Sequence, residues 1–335
     1  MDFSVGVGLT NACDLACAHC YRDVGRVDQL TEAQVLGVCD DLPVRSVNLG
    51  TGENGLHPDY PAIVRALCAR GVKLSLTSNG YTIAASSDET LTAFRELEVS
   101  IDFPTEREQD AFRGPGNWRR VMAGIERAQR LGITVTVLSV MMKTNYRRLS
   151  DIAAVAFAAG AHYRVNVYQP VKTDAFTLSY EEFWDGFRRL LGATRLVSTT
   201  EPILDAMLGQ PFKTGTGCGR QTVRVTPKGT VIPCVYWGHS DLRVEELREK
   251  GAEGVLASSE FQRVRSIPDA CKPCPFVSTC QGGCAGRREL AGGVAMADPY
   301  CPLVRGDRVS LDWAQAERRE LLKTGSACTT VLGPA

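Results

Sequence analysis

The sequence carries no excess of charge of either sign: 38 Lys and Arg stand against 38 Asp and Glu. No basic block breaks this balance, so composition gives no support to nucleic-acid or membrane-surface binding. No apolar run approaches the roughly 20 residues that cross a bilayer. The N-terminus lacks the cationic start and apolar stretch of a secretory signal. Internal repeats and low-complexity tracts are absent. Histidine is scarce, at four, and His57 and His239 stand alone, as structural histidines do. Cysteine is abundant instead, at thirteen. In a secreted chain that would suggest disulfides. Here the missing signal and the paired spacings favour thiolate-bound metal in a reducing cytoplasm.

Cys13, Cys17 and Cys20 fall in the run Asn11-Ala-Cys-Asp-Leu-Ala-Cys-Ala-His-Cys-Tyr21. The CxxxCxxC spacing brings three thiols to one centre, three of the four ligands of a [4Fe–4S] cube, and leaves one iron open. The competing reading is a zinc knuckle closed by His19. A second set begins at Cys218, with Gly229 and Cys234 after it. Cys271, Cys274, Cys280 and Cys284 follow as CxxC-x5-C-x3-C, and Cys301 ends the set. Cys39 and Cys68 lie on helical patterns with apolar neighbours and read as buried thiols.

From residue 2 to about 195, apolar runs alternate with helical patterns. Strands are expected at Ser4–Leu9, Ser46–Leu49, Lys73–Thr77, Glu98–Ile101, Thr134–Val140 and Tyr163–Tyr168, each rich in Val, Ile and Leu as if covered on both faces. Helices are expected at Thr31–Leu42, Tyr60–Arg70, Glu89–Glu96, Trp118–Leu131, Tyr146–Ala159 and Tyr180–Leu191, the first with Thr31 as N-cap. Six β/α units in series imply a parallel sheet with right-handed crossovers, and functional groups at its carboxyl edge. Residues 196–215 read as a bridge with an amphipathic stretch at Pro202–Leu208. Thr222–Thr226 and Thr230–Pro233 read as a hairpin turning at Pro227-Lys-Gly229. Val309–Leu322 reads as a closing helix, and the tail from Thr324 as mobile.

The cysteine loop behind a buried strand, with Tyr21 after its last thiol, resembles that of the radical S-adenosylmethionine (SAM) superfamily. The seven-cysteine order resembles that superfamily's SPASM extension. The resemblance implies an α/β chain: a partial (β/α)6 barrel over 1–195, a bridge over 196–215, a SPASM domain over 216–322 and a tail over 323–335. It implies SAM and three [4Fe–4S] clusters. Cys13, Cys17 and Cys20 hold the catalytic one. Cys271, Cys274, Cys280 and Cys301 hold a distal auxiliary cluster, and Cys218, Cys234 and Cys284 a proximal one. Some members add a cysteine just before the first of the proximal set; Phe212-Lys-Thr-Gly-Thr-Gly217 has none. An open iron is therefore expected there, ahead of closure by Cys328, because a Gly-Pro tail is costly to fix.

By the same resemblance, Gly50-Thr-Gly-Glu53 stands where the family has Gly-Gly-Glu, so Gly52 and Glu53 hold the SAM ammonium. Ser78 and Asn79 turn beside SAM, Ser139 and Asn145 lie near its ribose, and Tyr21 packs over adenine. For Asn145 helix capping is the rival role. Asp102, Tyr168 and Gln169, at strand ends, are the substrate-contact candidates, although Asp102 is equally placed to cap the Arg113 loop. The implied chemistry is hydrogen abstraction by a 5′-deoxyadenosyl radical, with flavodoxin or ferredoxin as electron donor. Peptide-modifying members often carry a docking domain before the barrel, and Cys13 leaves it no room. A small polar natural-product intermediate (sugar, aminocyclitol or nucleoside) is thus the expected substrate. A precursor peptide is the alternative, and a non-enzymatic electron carrier the second alternative.

Overall fold

The computed structural model describes residues 2–23, 25–209, 217–316 and 328–335. Six strands, β1 (Phe3–Val7), β2 (Val44–Leu49), β3 (Lys73–Ser78), β4 (Phe94–Ser100), β5 (Thr134–Met141) and β6 (His162–Val167), pair in parallel in chain order. Helices such as Glu32–Asp41, Tyr60–Ala69, Asn117–Arg130 and Leu149–Ala158 make the crossovers. Thr31 caps the first of these in a capping box: its hydroxyl accepts from Gln34 N at 3.2 Å, and Gln34 Oε1 accepts from Thr31 N at 2.8 Å. The result is the expected partial barrel.

The sheet does not stop at six strands. Among the described residues it continues through β7 (Arg195–Thr199), β8 (Thr222–Val225), β9 (Val231–Ile232), β10 (Ala314–Gln315) and β11 (Thr329–Gly333) to eleven, in the order β10-β7-β11-β6-β5-β4-β3-β2-β1-β8-β9. The β8–β9 hairpin turns at Gly229, φ 74°, and β8 runs parallel to β1. The cysteine-rich part is therefore built onto one edge of the barrel sheet.

Several expectations need correction. The segment expected as a helix over 89–96 divides: a short helix, Asp88–Thr92, ends before β4 begins at Phe94. Two glutamates suggest a helix there, but Glu96-Leu-Glu-Val-Ser alternates polar and apolar with the strand period of two. The strands are covered on both faces as expected, but one covered face is polar: Ser46, Asn48, Ser75, Glu96, Glu98, Thr136 and Arg164 are buried there, and neighbouring strands hydrogen-bond through these side chains. Asn48 donates to Ser75 at 3.0 Å and Thr77 at 3.2 Å, and Thr136 donates to Glu96.

Much of the expected bridge is sheet and core. β7 opens it, and the helix Pro202–Leu208 is buried on most sides rather than amphipathic. Residues 309–316 are not helical and end in β10, where Ala316 N donates to Leu196 O at 2.8 Å. The rest of that expected helix, 317–322, lies outside the described residues, as does 324–327. The end of the chain is no mobile tail: β11 pairs antiparallel with both β6 and β7. Its Thr-Thr-Val-Leu run suits a strand covered on both faces, and Leu332 is fully buried. Leu332→Ala should lower unfolding free energy by about 2–5 kcal/mol in urea titrations. An unchanged midpoint would mean that the terminus contributes nothing.

Candidate active site

The loop after β1 is shaped by two residues whose role the sequence did not signal. Asn11 Oδ1 accepts from Asp28 N at 2.7 Å and its Nδ2 donates to Arg26 O at 2.8 Å. Arg22 donates to Asn11 O at 2.8 Å and Leu15 O at 2.7 Å. The loop therefore closes on itself around a buried guanidinium, and Cys13, Cys17 and Cys20 face a shared cavity. Burial pushes the Cys13 thiol up to about 11 and raises Cys17 as well. Both stay protonated in the metal-free protein at neutral pH, so metal binding would release their protons.

The turn after β2 lies against this loop. A Cβ on Gly52, φ +61°, would sit 2.4 Å from Ala12 O and 2.6 Å from Thr10 O, so only glycine fits. Glu53 N donates to Ala12 O at 2.8 Å. The Glu53 carboxylate is 1% exposed and borders the cavity. Its Oε2 accepts from Ser78 Oγ at 2.8 Å, Thr82 N at 3.0 Å and the Thr82 hydroxyl, while Oε1 accepts from Asn79 N. Burial raises its pKa, against these bonds. Ser78 and Asn79 line the same cavity, and Asn79 Nδ2 lies 3.5 Å from Cys13 Sγ and 2.9 Å from Asp14 Oδ1.

Thr51, the departure from Gly-Gly-Glu, takes φ 95°, a conformation that costs a β-branched residue of order 1–3 kcal/mol. Its hydroxyl compensates. It meets Tyr21 OH at 3.1 Å and accepts from Arg224 on β8, which also donates to Gly50 O. Tyr21 in turn packs edge-on against Tyr236 of the cysteine-rich region, centroids 5.8 Å apart.

Three expected site residues do not reach the cavity. Asp102 is fully buried; Arg113 Nε donates to it at 2.8 Å, Val140 N at 2.9 Å, and His19 Nε2 lies 3.6 Å away. Its capping role is the one the structure shows. Ser139 donates to Ile101 O on the helix-facing side of β5, whereas Leu138 and Val140 line the cavity; the strand period puts it on the wrong face. Asn145 bonds Met142 N at 2.8 Å, Val140 O at 2.9 Å and Asp102 O at 3.0 Å, which ties the end of β5 to its own loop. His19 stacks on Phe112 at 4.8 Å, and burial lowers it to about 4, so it is neutral.

Tyr168 and Gln169 do line the cavity. Tyr168 OH is already spent on Thr173 O at 2.7 Å. Gln169 Oε1 is buried with no partner, as is Asn166 Oδ1 beside it on the same wall. Two orphaned acceptors in one cavity mark a place where a ligand donates hydrogen bonds. Deeper in, Arg164 pairs with Glu98 and lies 3.5 Å from Glu96, whose carboxyl burial raises. This charged floor is written in the alternating Glu-Leu-Glu-Val and Arg-Val-Asn-Val runs of β4 and β6.

The second cysteine set forms two groups. Cys271, Cys274, Cys280 and Cys301 lie within electrostatic reach of one another; burial first, then their neighbours, raises Cys271 and Cys280. Cys218 interacts with both Cys234 and Cys328, and Cys328 also interacts with Cys284. Asp298 joins the two groups: it accepts from Cys284 N at 2.8 Å and Tyr300 N at 3.0 Å, and Arg287 clamps it to Glu201. Among the described residues no three side chains close around a point as a single-ion site would.

Comparison with known proteins agrees with this geometry. Residues 7–156 match the radical SAM superfamily and residues 217–280 the SPASM iron–sulfur cluster-binding domain. The chain belongs to the radical SAM superfamily and is a SPASM-type enzyme, in a family that binds iron–sulfur clusters and SAM. It is 27% identical over 322 residues to mycofactocin maturase MftC of Mycolicibacterium smegmatis, covering 88% of this chain and 81% of the relative. It is 26% identical over 327 residues to the PqqA peptide cyclase of Xanthomonas euvesicatoria, covering 89% and 87%. The crystal structure of Streptococcus suis SuiB bound to its precursor peptide SuiA superposes with a TM-score of 0.66 at 15% identity, over 90% of this chain and 76% of SuiB. These relatives overturn the expected sugar, aminocyclitol or nucleoside substrate. That expectation rested on the position of Cys13, and proteins named for peptide modification match this chain along most of its length. Among the described residues no helix is long and apolar enough to cross a membrane.

Thr51 gives a direct test of the join between barrel and hairpin. Thr51→Val keeps the strained φ and deletes the hydroxyl, and should cost about 1–3 kcal/mol. Thr51→Gly loses the same bonds but relieves the backbone, so its denaturation midpoint should fall between wild type and Val. A glycine variant less stable than the valine variant would contradict the assigned strain.

Proposed function

We propose that this chain is a radical SAM maturase of a precursor peptide. The observation that carries the reading is the kinship along nearly 90% of the chain with peptide-modifying enzymes. The site suits it. Three thiols, a glycine turn against their loop and two unpartnered amide oxygens share one cavity.

Cys13, Cys17 and Cys20 would hold the first cluster. Gly52, Glu53, Ser78 and Asn79 would form the wall for the amino-acid end of SAM, and Tyr21 the cover for its base. Bound there and given one electron through the cluster, SAM would supply the means to take a hydrogen atom from an unactivated C–H bond. The protein's part is positioning and exclusion of water. The buried Arg164–Glu98 floor fixes the base of the cavity, and Gln169 and Asn166 offer acceptors to a donor on the ligand. Two further [4Fe–4S] clusters would lie in the cysteine-rich region, one on Cys271, Cys274, Cys280 and Cys301, the other on Cys218, Cys234 and Cys284. A reduced flavodoxin or ferredoxin in the cytoplasm would supply the electron.

The test is an anaerobic assay of cluster-loaded protein with dithionite, SAM and candidate short peptides drawn from open reading frames near its gene. 5′-Deoxyadenosine should form and one of the peptides should change mass, and both should vanish when Cys13, Cys17 and Cys20 are replaced by alanine. Deoxyadenosine formed with every peptide left unmodified would contradict the peptide reading. Loaded protein that forms none, with or without peptide, would point to an electron carrier.

A further inference from the structure

The proximal cysteine group contains a thiol outside the seven-cysteine pattern. Cys328 immediately precedes β11, and β11 is held from both sides. Thr329–Leu332 pair with Tyr163–Asn166 of β6, and Thr330–Gly333 pair with β7. Thr200 N donates to Thr329 O at 2.8 Å, and Thr329 N donates to Thr200 Oγ1 at 3.0 Å. The residue before this strand is thus set in place by main-chain bonds. The entropic objection to a closing ligand from the terminus is removed, because ordering the terminus is part of folding the sheet.

The thiol lands among the proximal ligands. Cys328 interacts with Cys218 and Cys284, and Cys218 interacts with Cys234. Cys218 and Cys328 also share the walls of a small cavity with Gln281, Gly283 and Ala285.

We propose that Cys328 is the fourth thiolate of the proximal auxiliary cluster, delivered by the last strand of the chain, so that every iron of that cluster has a protein ligand. This rests on the reading that Cys218, Cys234 and Cys284 hold a cluster. It reverses the expectation of an open iron: no iron of this cluster is left for a substrate hydroxyl, amine or carboxylate. Four thiolates complete a cube. The cluster nonetheless stays next to the cavity. Val235, Tyr236 and Thr329, neighbours in sequence of Cys234 and Cys328, line its wall. That placement suits an electron-transfer role rather than a binding one.

The experiment uses the variant with Cys13, Cys17 and Cys20 replaced by alanine, loaded anaerobically and reduced, with cyanide as probe of an open iron. With Cys328 present, it should bind about eight irons, the content of two cubes, and its electron paramagnetic resonance spectrum should not respond to cyanide. After Cys328→Ala, one component should become cyanide-responsive and lose one iron on mild oxidation. The distal component should stay unchanged, which reports that the variant is folded. A cyanide response with Cys328 present, or no change on Cys328→Ala, would overturn the proposal. Binding of only about four irons with Cys328 present, unaffected by Cys218→Ala, would instead remove the cluster itself. A check without substitution is alkylation of loaded wild-type protein by iodoacetamide. Cys68, which the sequence suggested was buried but which is exposed, should react while Cys328 stays unmodified until iron is chelated away, and modification of Cys328 in the loaded protein would contradict its ligation.

Discussion

The main-chain ladder on either side of the six-stranded barrel is the interaction on which the rest depends. A barrel left open after six strands has two raw edges, and buried backbone donors and acceptors at such edges must find partners. Here both partners come from the C-terminal part of the chain. β8 runs along β1, with Ser4 N bonded to Gln221 O at 2.9 Å and Gly8 N to Val225 O at 3.0 Å. β11 runs along β6 and carries β7 beyond it. The cysteine-rich region is therefore continuous with the barrel. Cys218 forms a bridge with Thr222 at the start of β8, Cys234 follows β9, and Cys328 precedes β11. The sheet that shapes the cavity also sets the spacing of the proximal thiols.

Buried charge does the fine positioning. Arg164 between Glu96 and Glu98, and Arg287 between Glu201 and Asp298, are both sealed inside the protein. Such groups add little net stability over an apolar replacement, since desolvation offsets the attraction. They are directional, however. Asp298 fixes the backbone at Cys284 and Tyr300 together, so two cysteine-bearing segments share one carboxylate. Gly283 belongs to this arrangement, because a Cβ there would meet Asp298 Oδ2 at 2.4 Å. Thr51 adds a strained backbone whose hydroxyl ties the β2 turn to β8 and to the cysteine loop.

The family was legible in the sequence because its motifs depend on spacing. CxxxCxxC behind a strand, the seven-cysteine order, and Gly52-Glu53 at the end of β2 all survive in the structure as neighbours. The six β/α units were legible because each strand is a short apolar run between amphipathic helices. What was missed depends on phase or on distant pairing. Ser139 lies one residue from the cavity-facing Leu138 and Val140, and a period of two turns that single step into the opposite face. The polar lumen was hidden by counting Val, Ile and Leu rather than noting that Ser, Thr, Asn, Glu and Arg recur at every second place. β11 pairs with residues some 165 positions away, and its Thr-rich, Gly-Pro-terminated segment carries the local signature of a loose end. Asp102 and its capping of the Arg113 segment were visible in the sequence, but the helix that carries Arg113, Glu106–Arg113, was not identified.

If one sheet unites the barrel with the cysteine-rich region, the two should open together. Native-state hydrogen exchange on the cluster-loaded protein tests this most directly. The account predicts that amides of Thr222–Val225 and Thr330–Leu332 exchange with the same opening free energy as Val5 and Val7, in one cooperative unit. Faster and independent exchange of β8 and β11, with β1 still protected, would contradict it.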